Sequence, residues 1–159
     1  MPFDLEGVPK SKVIMVENGV AKELVYDFKN AKKEGKKSTG HGGFGGWGPM
    51  PTNLFMAGGL SSLGDMIKGT RRGVLVTRFH YTNLAHPMKM LITGMTRDGT
   101  FLIEDGEIVK PIKNMRFTES ALRVFGSMDM VSQDLVRTGR AVVPAIRVPA
   151  FSFTGTTEF

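Results

Sequence analysis

No cysteine occurs anywhere in the chain, which excludes a disulfide framework, thiolate metal sites and Cys-His catalysis together. Histidine is almost as scarce. The three present, His41, His80 and His86, lack any metal-ligand spacing, so a three-histidine site would require the fold to gather distant residues. The serines lack a Gly-x-Ser-x-Gly elbow, which removes one common nucleophile arrangement. No apolar run approaches the roughly 18 residues of a membrane span. The start, MPFDLEGVPK, has neither the charged nor the apolar region of a signal peptide. A cytoplasmic location with no membrane partner follows as the expectation, in keeping with the absence of cysteine.

What is present is an ordinary globular composition, 41% hydrophobic and 23% charged over 159 residues. That length suits a single domain spanning 1–159, able to bury roughly two thirds of its unfolded surface. The net charge of +6 raises the question of nucleic acid. Part of it is local: Lys29, Lys32, Lys33, Lys36 and Lys37 cluster within nine residues. Charge runs of this kind mark solvated faces, so nucleic acid is not the expected partner.

The organising stretch is Arg71 to Thr118, which reads as consecutive strands. Side chains alternate in a strand, so Val74, Val76, Arg78 and His80 point one way while Leu75, Thr77, Phe79 and Tyr81 point the other. Met88 to Thr93 is a second apolar run. Asp98-Gly99 and Asp105-Gly106 then fall between apolar runs, and Asp-Gly favours two-residue hairpins that need positive φ. The expectation is a curved antiparallel meander of about four strands over Gly73–Asn83 and Met88–Lys113. One face would be buried by Val74, Val76, Leu91, Phe101 and Ile103 or their alternates. Apolar residues on both sides leave the register open, and such a sheet implies closure into a barrel-like body or cover from elsewhere. Self-association of the chain by itself is the corollary.

Outside the meander, Asn18-Gly19 signals another hairpin. Its resemblance to Glu104-Asp105-Gly106 is the same turn chemistry used twice. Lys29–Glu34 is read as one or two helical turns closed by Gly35. Ser61 or Ser62 caps a helix over Leu63–Lys68 that buries Leu63, Met66 and Ile67, with Asp65 at capping-box spacing. Thr118 or Ser120 caps a third helix carrying Ala121, Leu122, Val124 and Phe125. Ala141–Val143 and Ile146–Phe153 read as closing strands, which Pro144 and Pro149 confine to edges or bulges. The fold class is therefore α+β, mainly β.

The glycine-rich stretch Gly40 to Pro49 either stays mobile or is held because backbone approaches something closely. It has no Gly-Lys-Ser/Thr ending, which argues against a phosphate loop. Burial of Phe44 and Trp47 would pin it, while base stacking on the same two rings is the nucleic-acid alternative. Glu104 and Asp105 lie at a turn and are read as solvated carboxylates rather than a general acid/base pair.

GVLVTRFHYTN followed by LITGMTRDGTFLIEDGEIVKPIKNMRFTES resembles the C-terminal domain of the TldD/PmbA (TldE) family of zinc metallopeptidases, also labelled modulators of DNA gyrase. Phe3-Asp4-Leu5-Glu6-Gly7-Val8, Ser38-Thr39-Gly40-His41 and Val142 to Phe153 occur in the order that family uses, so the resemblance spans nearly the whole chain. It implies a long N-terminal domain ahead of this one and, in the TldD branch, a His-Glu-x-x-x-His zinc helix within it. That branch also takes a zinc-binding cysteine from the segment matching Arg137–Val148, where none stands. The resemblance thus implies a PmbA/TldE-like or truncated member, with zinc held by the complete enzyme or a partner and no cofactor in this chain. Its partner would be a TldD-like subunit or the N-terminal half.

The functional expectation is proteolysis in which this domain supplies substrate-groove and subunit-interface surface and is inactive alone. Arg78, His80, Tyr81, Thr93 and Gly94 are the groove candidates, with a peptide as the compatible substrate and no catalytic or metal-binding residue assigned. Single histidines such as His80 are also common as packed strand residues. A nucleic-acid-binding module and an inactive structural remnant are the competing readings.

Overall fold

A computed structural model describes residues 2–43 and 48–156. Phe44 and Trp47, on which the pinned-loop and base-stacking readings depend, lie outside the described residues. The chain divides into two compact units, one made of 1–55 with 138–141 and the other of 56–137 with 142–159.

The first unit is short on regular structure. Strands β1 (Val16–Glu17) and β2 (Val20–Ala21) pair antiparallel about Asn18-Gly19. Both turn residues have positive φ, 52° and 77°, the geometry for which Asn-Gly is selected. Helix α1 (Phe28–Lys33) is capped by Asp27, whose carboxylate accepts from the Asn30 N–H. It ends before Gly35, which adopts φ 65° as expected, and the two-residue strand β3 (Leu54–Phe55) comes later in the unit. The backbone of Gly40 to Gly43 is held by close approach: a Cβ on Gly40 would stand 2.3 Å from the Pro9 carbonyl oxygen, and one on Gly42 2.4 Å from a Glu6 carboxylate oxygen. Asp4 fixes this arrangement, accepting from the N–H groups of Glu6, Val8 and Gly42 at 3.0, 2.9 and 2.8 Å. Burial opposes its charge, but those three donors outweigh it and hold the carboxyl below its ordinary range.

The second unit is built on a five-stranded sheet. Its order is β10 (Phe153–Thr156), β7 (Met115–Ser120), β5 (Leu91–Glu104) and β4 (Arg72–His86), with β6 (Glu107–Pro111) pairing the far end of β5. All these pairings are antiparallel. Among the described residues the sheet does not close, and the mainly β, α+β class stands.

Asp105-Gly106 makes the expected tight turn, with φ 48° and 83°. Asp98-Gly99 does not. It lies inside β5, where Val76 pairs with Thr100 and Arg78 with Arg97, so two residues on β5 oppose Thr77 alone. Positive φ at both positions, 62° and 124°, serves a bulge rather than a reversal. Thr77 Oγ1 closes it, lying 3.1 Å from the Arg97 carbonyl and 2.9 Å from that of Gly99. The meander is therefore one strand shorter than expected. Met88 to Met90 also differ from expectation: they belong to the connector, a 3-10 turn over Pro87–Lys89 followed by Met90 at φ 47°.

Register corrects the expected face as well. Val74 pairs with Leu102, and Leu75 with Phe101, so Val74 and Phe101 stand on opposite faces. Val74, Leu75 and Val76 are all half-buried, as two-sided apolarity implies.

Helix α2 (Leu63–Lys68) carries the full capping box between Ser62 and Asp65. Met66 is buried, whereas Leu63 is exposed, contrary to expectation, because it occupies the first helical position. Helix α3 (Ala121–Gly126) is capped by Ser120. Strand β8 (Met130–Thr138) precedes β9 (Ala141–Arg147), which runs unbroken through a buried Pro144. The sequence placed a break there. Ser132 compensates locally, its buried hydroxyl accepting from the Ala145 N–H at 2.8 Å and donating to the Asp134 carbonyl.

Candidate functional site

Strand β4 is rich in β-branched and aromatic residues, which fit an extended, half-buried surface. It ends the strand order, so one side of a 15-residue strand has no neighbour in its sheet among the described residues. From Thr77 onward the strand is exposed except at His80.

Three of the five groove candidates lie along this edge strand. Arg78 is exposed and its Nε donates to Asp98 Oδ2, while Arg97 Nε lies 3.9 Å from the other oxygen. Arg78 sits directly opposite Arg97 in register. Asp98 thus relieves a like-charge pair that would otherwise be unfavourable. The hydrogen bond from Arg78 holds the Asp98 carboxyl below its ordinary range. His80 and Tyr81 make an edge-to-face ring contact at 5.4 Å.

A second bulge falls between His80 and Asn83, which oppose Met95 and Thr93. Tyr81 takes φ 54° there, and the residue is 76% exposed. Positive φ is costly for a bulky residue. Asn83 supports the turn-out by donating from Nδ2 to the Tyr81 carbonyl at 2.9 Å.

Thr93 and Gly94 lie on β5, an inner strand flanked by β7 and β4. Thr93 Oγ1 donates to the Phe117 carbonyl at 2.9 Å. Gly94 is opposite Phe117 in register, and an added Cβ would meet that ring at 2.8 Å. The missing side chain lets the Phe117 ring lie over β5 and reach Phe79 on β4, with centroids 4.6 Å apart. Phe151 completes the cluster at 5.5 Å from Phe79 and 5.4 Å from Phe117.

Sequence reasoning missed the group that secures this end of the sheet. Glu119 on β7 is buried and accepts from Arg123 in a bidentate pair, from the Ser120 N–H at 2.7 Å and from the Ser152 N–H at 2.9 Å. The Arg123 hydrogen bonds lead in lowering its pKa to about 2. The i,i+4 spacing of Glu119 and Arg123 was the available signal; the strand-to-helix change between them concealed it.

The three histidines stand in different surroundings. His41 is buried with Nδ1 3.0 Å from Thr39 Oγ1, and burial pushes its pKa down. His80 packs against Tyr81, and His86 is exposed at the strand end opposite Leu91. Among the described residues no three of the His, Asp and Glu side chains come together to hold an ion. No helix is long and apolar enough to cross a membrane among those residues either.

Comparison with known proteins gives a consistent picture. A TldD metalloprotease homologue from Buchnera aphidicola of Acyrthosiphon pisum is 35% identical over 139 residues, covering 85% of this chain and 28% of its own length. A PmbA metalloprotease homologue from Haemophilus influenzae is 28% identical over 155 residues, covering 92% of this chain and 32% of its own. This chain therefore spans about a third or less of the length of these relatives. The crystal structure of a protein described as a modulator of DNA gyrase from Thermotoga maritima superposes with a TM-score of 0.85 at 27% identity, over 97% of this chain and 35% of that one. TldE from Thermococcus kodakarensis gives 0.82 at 26% identity, over 98% and 36%. A family profile described as the PmbA/TldA metallopeptidase C-terminal domain matches residues 1–155, and the chain belongs to that family.

Proposed function

We propose that this chain lines the peptide groove and meets the partner subunit of a TldD/PmbA-type metallopeptidase, with the free edge of β4 receiving substrate as an added strand. The observation that carries this reading is the 15-residue β4 at the end of its sheet. A strand there presents unpaired N–H and C=O groups, which an extended peptide satisfies through its own backbone. Main-chain pairing binds with little demand on sequence. Arg78, His80 and Tyr81 lie along this edge strand and would meet the substrate's side chains. Thr93 and Gly94 act indirectly, by seating the aromatic cluster beneath.

A zinc hydrolase holds its metal through about three protein ligands and leaves a position open for water. Among the described residues no such donor set assembles, and in this reading the metal is held by the rest of the enzyme or by its partner, while this domain binds and orients. A relative named as a zinc metalloprotease TldD homologue from Saccharolobus solfataricus supports zinc in the complete enzyme. The TldD and TldE names among the relatives support a TldD-like partner subunit. Leu84, Met88, Met90, Leu122 and Phe125 are exposed near the β4–β5 tip, where the α3 start is tied to the connector by the Ala121 N–H bond to the Met90 carbonyl. Such apolar exposure fits a surface that another subunit or domain covers.

Hydrogen exchange tests the reading directly. In the presence of a TldD-type partner, an unfolded peptide should protect amides between Arg72 and His80, and N-methylating alternate amides of that peptide should abolish the protection. The chain alone should cleave no peptide and purify without stoichiometric zinc. Unchanged exchange along 72–80 would sink the groove assignment. One zinc per chain, lost on replacing His41, His80 or His86, would sink the assignment of the metal elsewhere.

A further inference from the structure

The first unit carries a cleft of about 610 Å³ that the groove reading leaves unused. Val8, Pro9, Phe28 and Ala31 make its apolar floor, and Lys32, Lys36 and Lys37 rim it. Ala31 is buried, whereas Phe28 is 57% exposed. Among the described residues none of Lys29, Lys32, Lys33, Lys36 and Lys37 forms an ion pair. The Lys36 ammonium stands over the Tyr26 ring, 5.3 Å from its centroid.

The nearby carboxylates are engaged with neutral donors instead. Glu34 accepts from the Tyr26 hydroxyl at 2.8 Å, Glu6 from the Phe28 N–H at 2.9 Å, and Asp27 from the Asn30 N–H and side-chain amide. These three carboxylates keep their charge, but the five lysines outnumber them and leave an excess of positive charge around an apolar depression. Charge of one sign beside a low-dielectric wall concentrates oppositely charged partners.

We propose that this cleft is a docking site for an acidic polypeptide segment carrying one apolar side chain. Two features favour carboxylates over a nucleic-acid backbone. The rim is all lysine, a compact point charge suited to single carboxylates, and it lacks the arginine forks that grip phosphates bidentately. The floor offers one exposed ring beside aliphatic groups, a seat for an apolar side chain rather than a platform for successive bases. The site lies within the first unit and is independent of the β4 edge.

Fluorescence anisotropy on the full chain tests this, using a labelled short peptide of aspartate and glutamate with one central leucine. The expected result is saturable binding that weakens at least tenfold between about 50 and 300 mM salt, as screening requires. It should weaken tenfold or more in the triple variant Lys32→Glu, Lys36→Glu, Lys37→Glu, whose circular dichroism confirms folding. Replacing the central leucine by serine, or making Phe28→Ala, should cost severalfold at every salt concentration. Binding indifferent to the triple variant overturns the proposal, and so does an absence of binding at millimolar peptide. If the leucine-to-serine peptide and a single-stranded oligonucleotide both bind as tightly as the probe, the cleft is a general polyanion surface and the proposal also fails.

Discussion

The two ends of the β4–β5 ladder are made from the same pair of strands and behave differently. From Arg72 to Val76 the pairing with Thr100–Glu104 is regular, residue against residue, and the side chains are mostly half-buried. Beyond Val76 there are three register shifts in ten residues, first on β5 and then twice on β4. The regular end is held by burial and by neighbours: the Asp105 and Gly106 N–H groups donate to the Arg71 and Thr70 carbonyls. The irregular end is held by specific devices, namely the Phe79, Phe117 and Phe151 rings, the Gly94 gap and the Glu119 carboxylate. An extended edge can be kept accessible if local interactions replace burial, and bulges also discourage indiscriminate edge pairing.

The largest break in that comparison should come from Gly94→Val. Its side chain would collide with the Phe117 ring, an overpacking cost of about 3 kcal/mol, or a Tm lower by roughly 6–12 °C at this chain length. Gly73→Ala, at the regular end, meets only a Thr70 methyl and should cost under about 1 kcal/mol. Equal losses for the two variants in thermal melts would erase the distinction between the ends.

Glu119→Gln should rank next, at about 2 kcal/mol, because it strips the charge from a buried, fully bonded acceptor beside Arg123. The folded-state pKa is lowered from 4.5 to about 2. Its stabilising contribution is therefore complete above about pH 4.5 and disappears as pH falls toward 2. Urea midpoints between pH 6 and pH 2.5 should fall more steeply for the parent chain than for the variant. Parallel slopes would remove Glu119 from its proposed role.

Thr77→Val removes the hydroxyl that bridges the Arg97 and Gly99 carbonyls across the first bulge, and should cost about 1 kcal/mol. Chemical shifts should change mainly at the bulge, leaving Arg72–Val76 undisturbed. The smallest effect is expected from Tyr81→Gly. Relief of a left-handed tyrosine offsets the added chain entropy, so stability should stay within about 0.5 kcal/mol or rise. A loss above about 2 kcal/mol would mean that the exposed ring is a structural anchor.

Local chemistry was legible where a residue's conformational preference and its surroundings agreed. Asn18-Gly19, Asp105-Gly106, the Ser62–Asp65 box and Gly35 each do in the fold what their residue types favour. Asp98-Gly99 has the same positive-φ preference and satisfies it in a bulge, because a dipeptide specifies its dihedrals but not whether the chain reverses around them. Pro144 is the complementary case. Its lost donor was readable, whereas the Ser132 hydroxyl that supports the next N–H comes from another strand.

The groove candidates divide for the same reason. The sequence by itself determined that the 71–118 stretch is extended, that it is apolar on both sides, that no cysteine is available to bind metal, and which family it resembles, since all four depend on residue identity and order. Tertiary structure alone decided that Arg78, His80 and Tyr81 line an edge strand while Thr93 and Gly94 lie on an inner one, and that Glu119 anchors the distal end. Register and strand order depend on pairings between residues far apart in sequence, and with both faces apolar no alternation was available to choose among them.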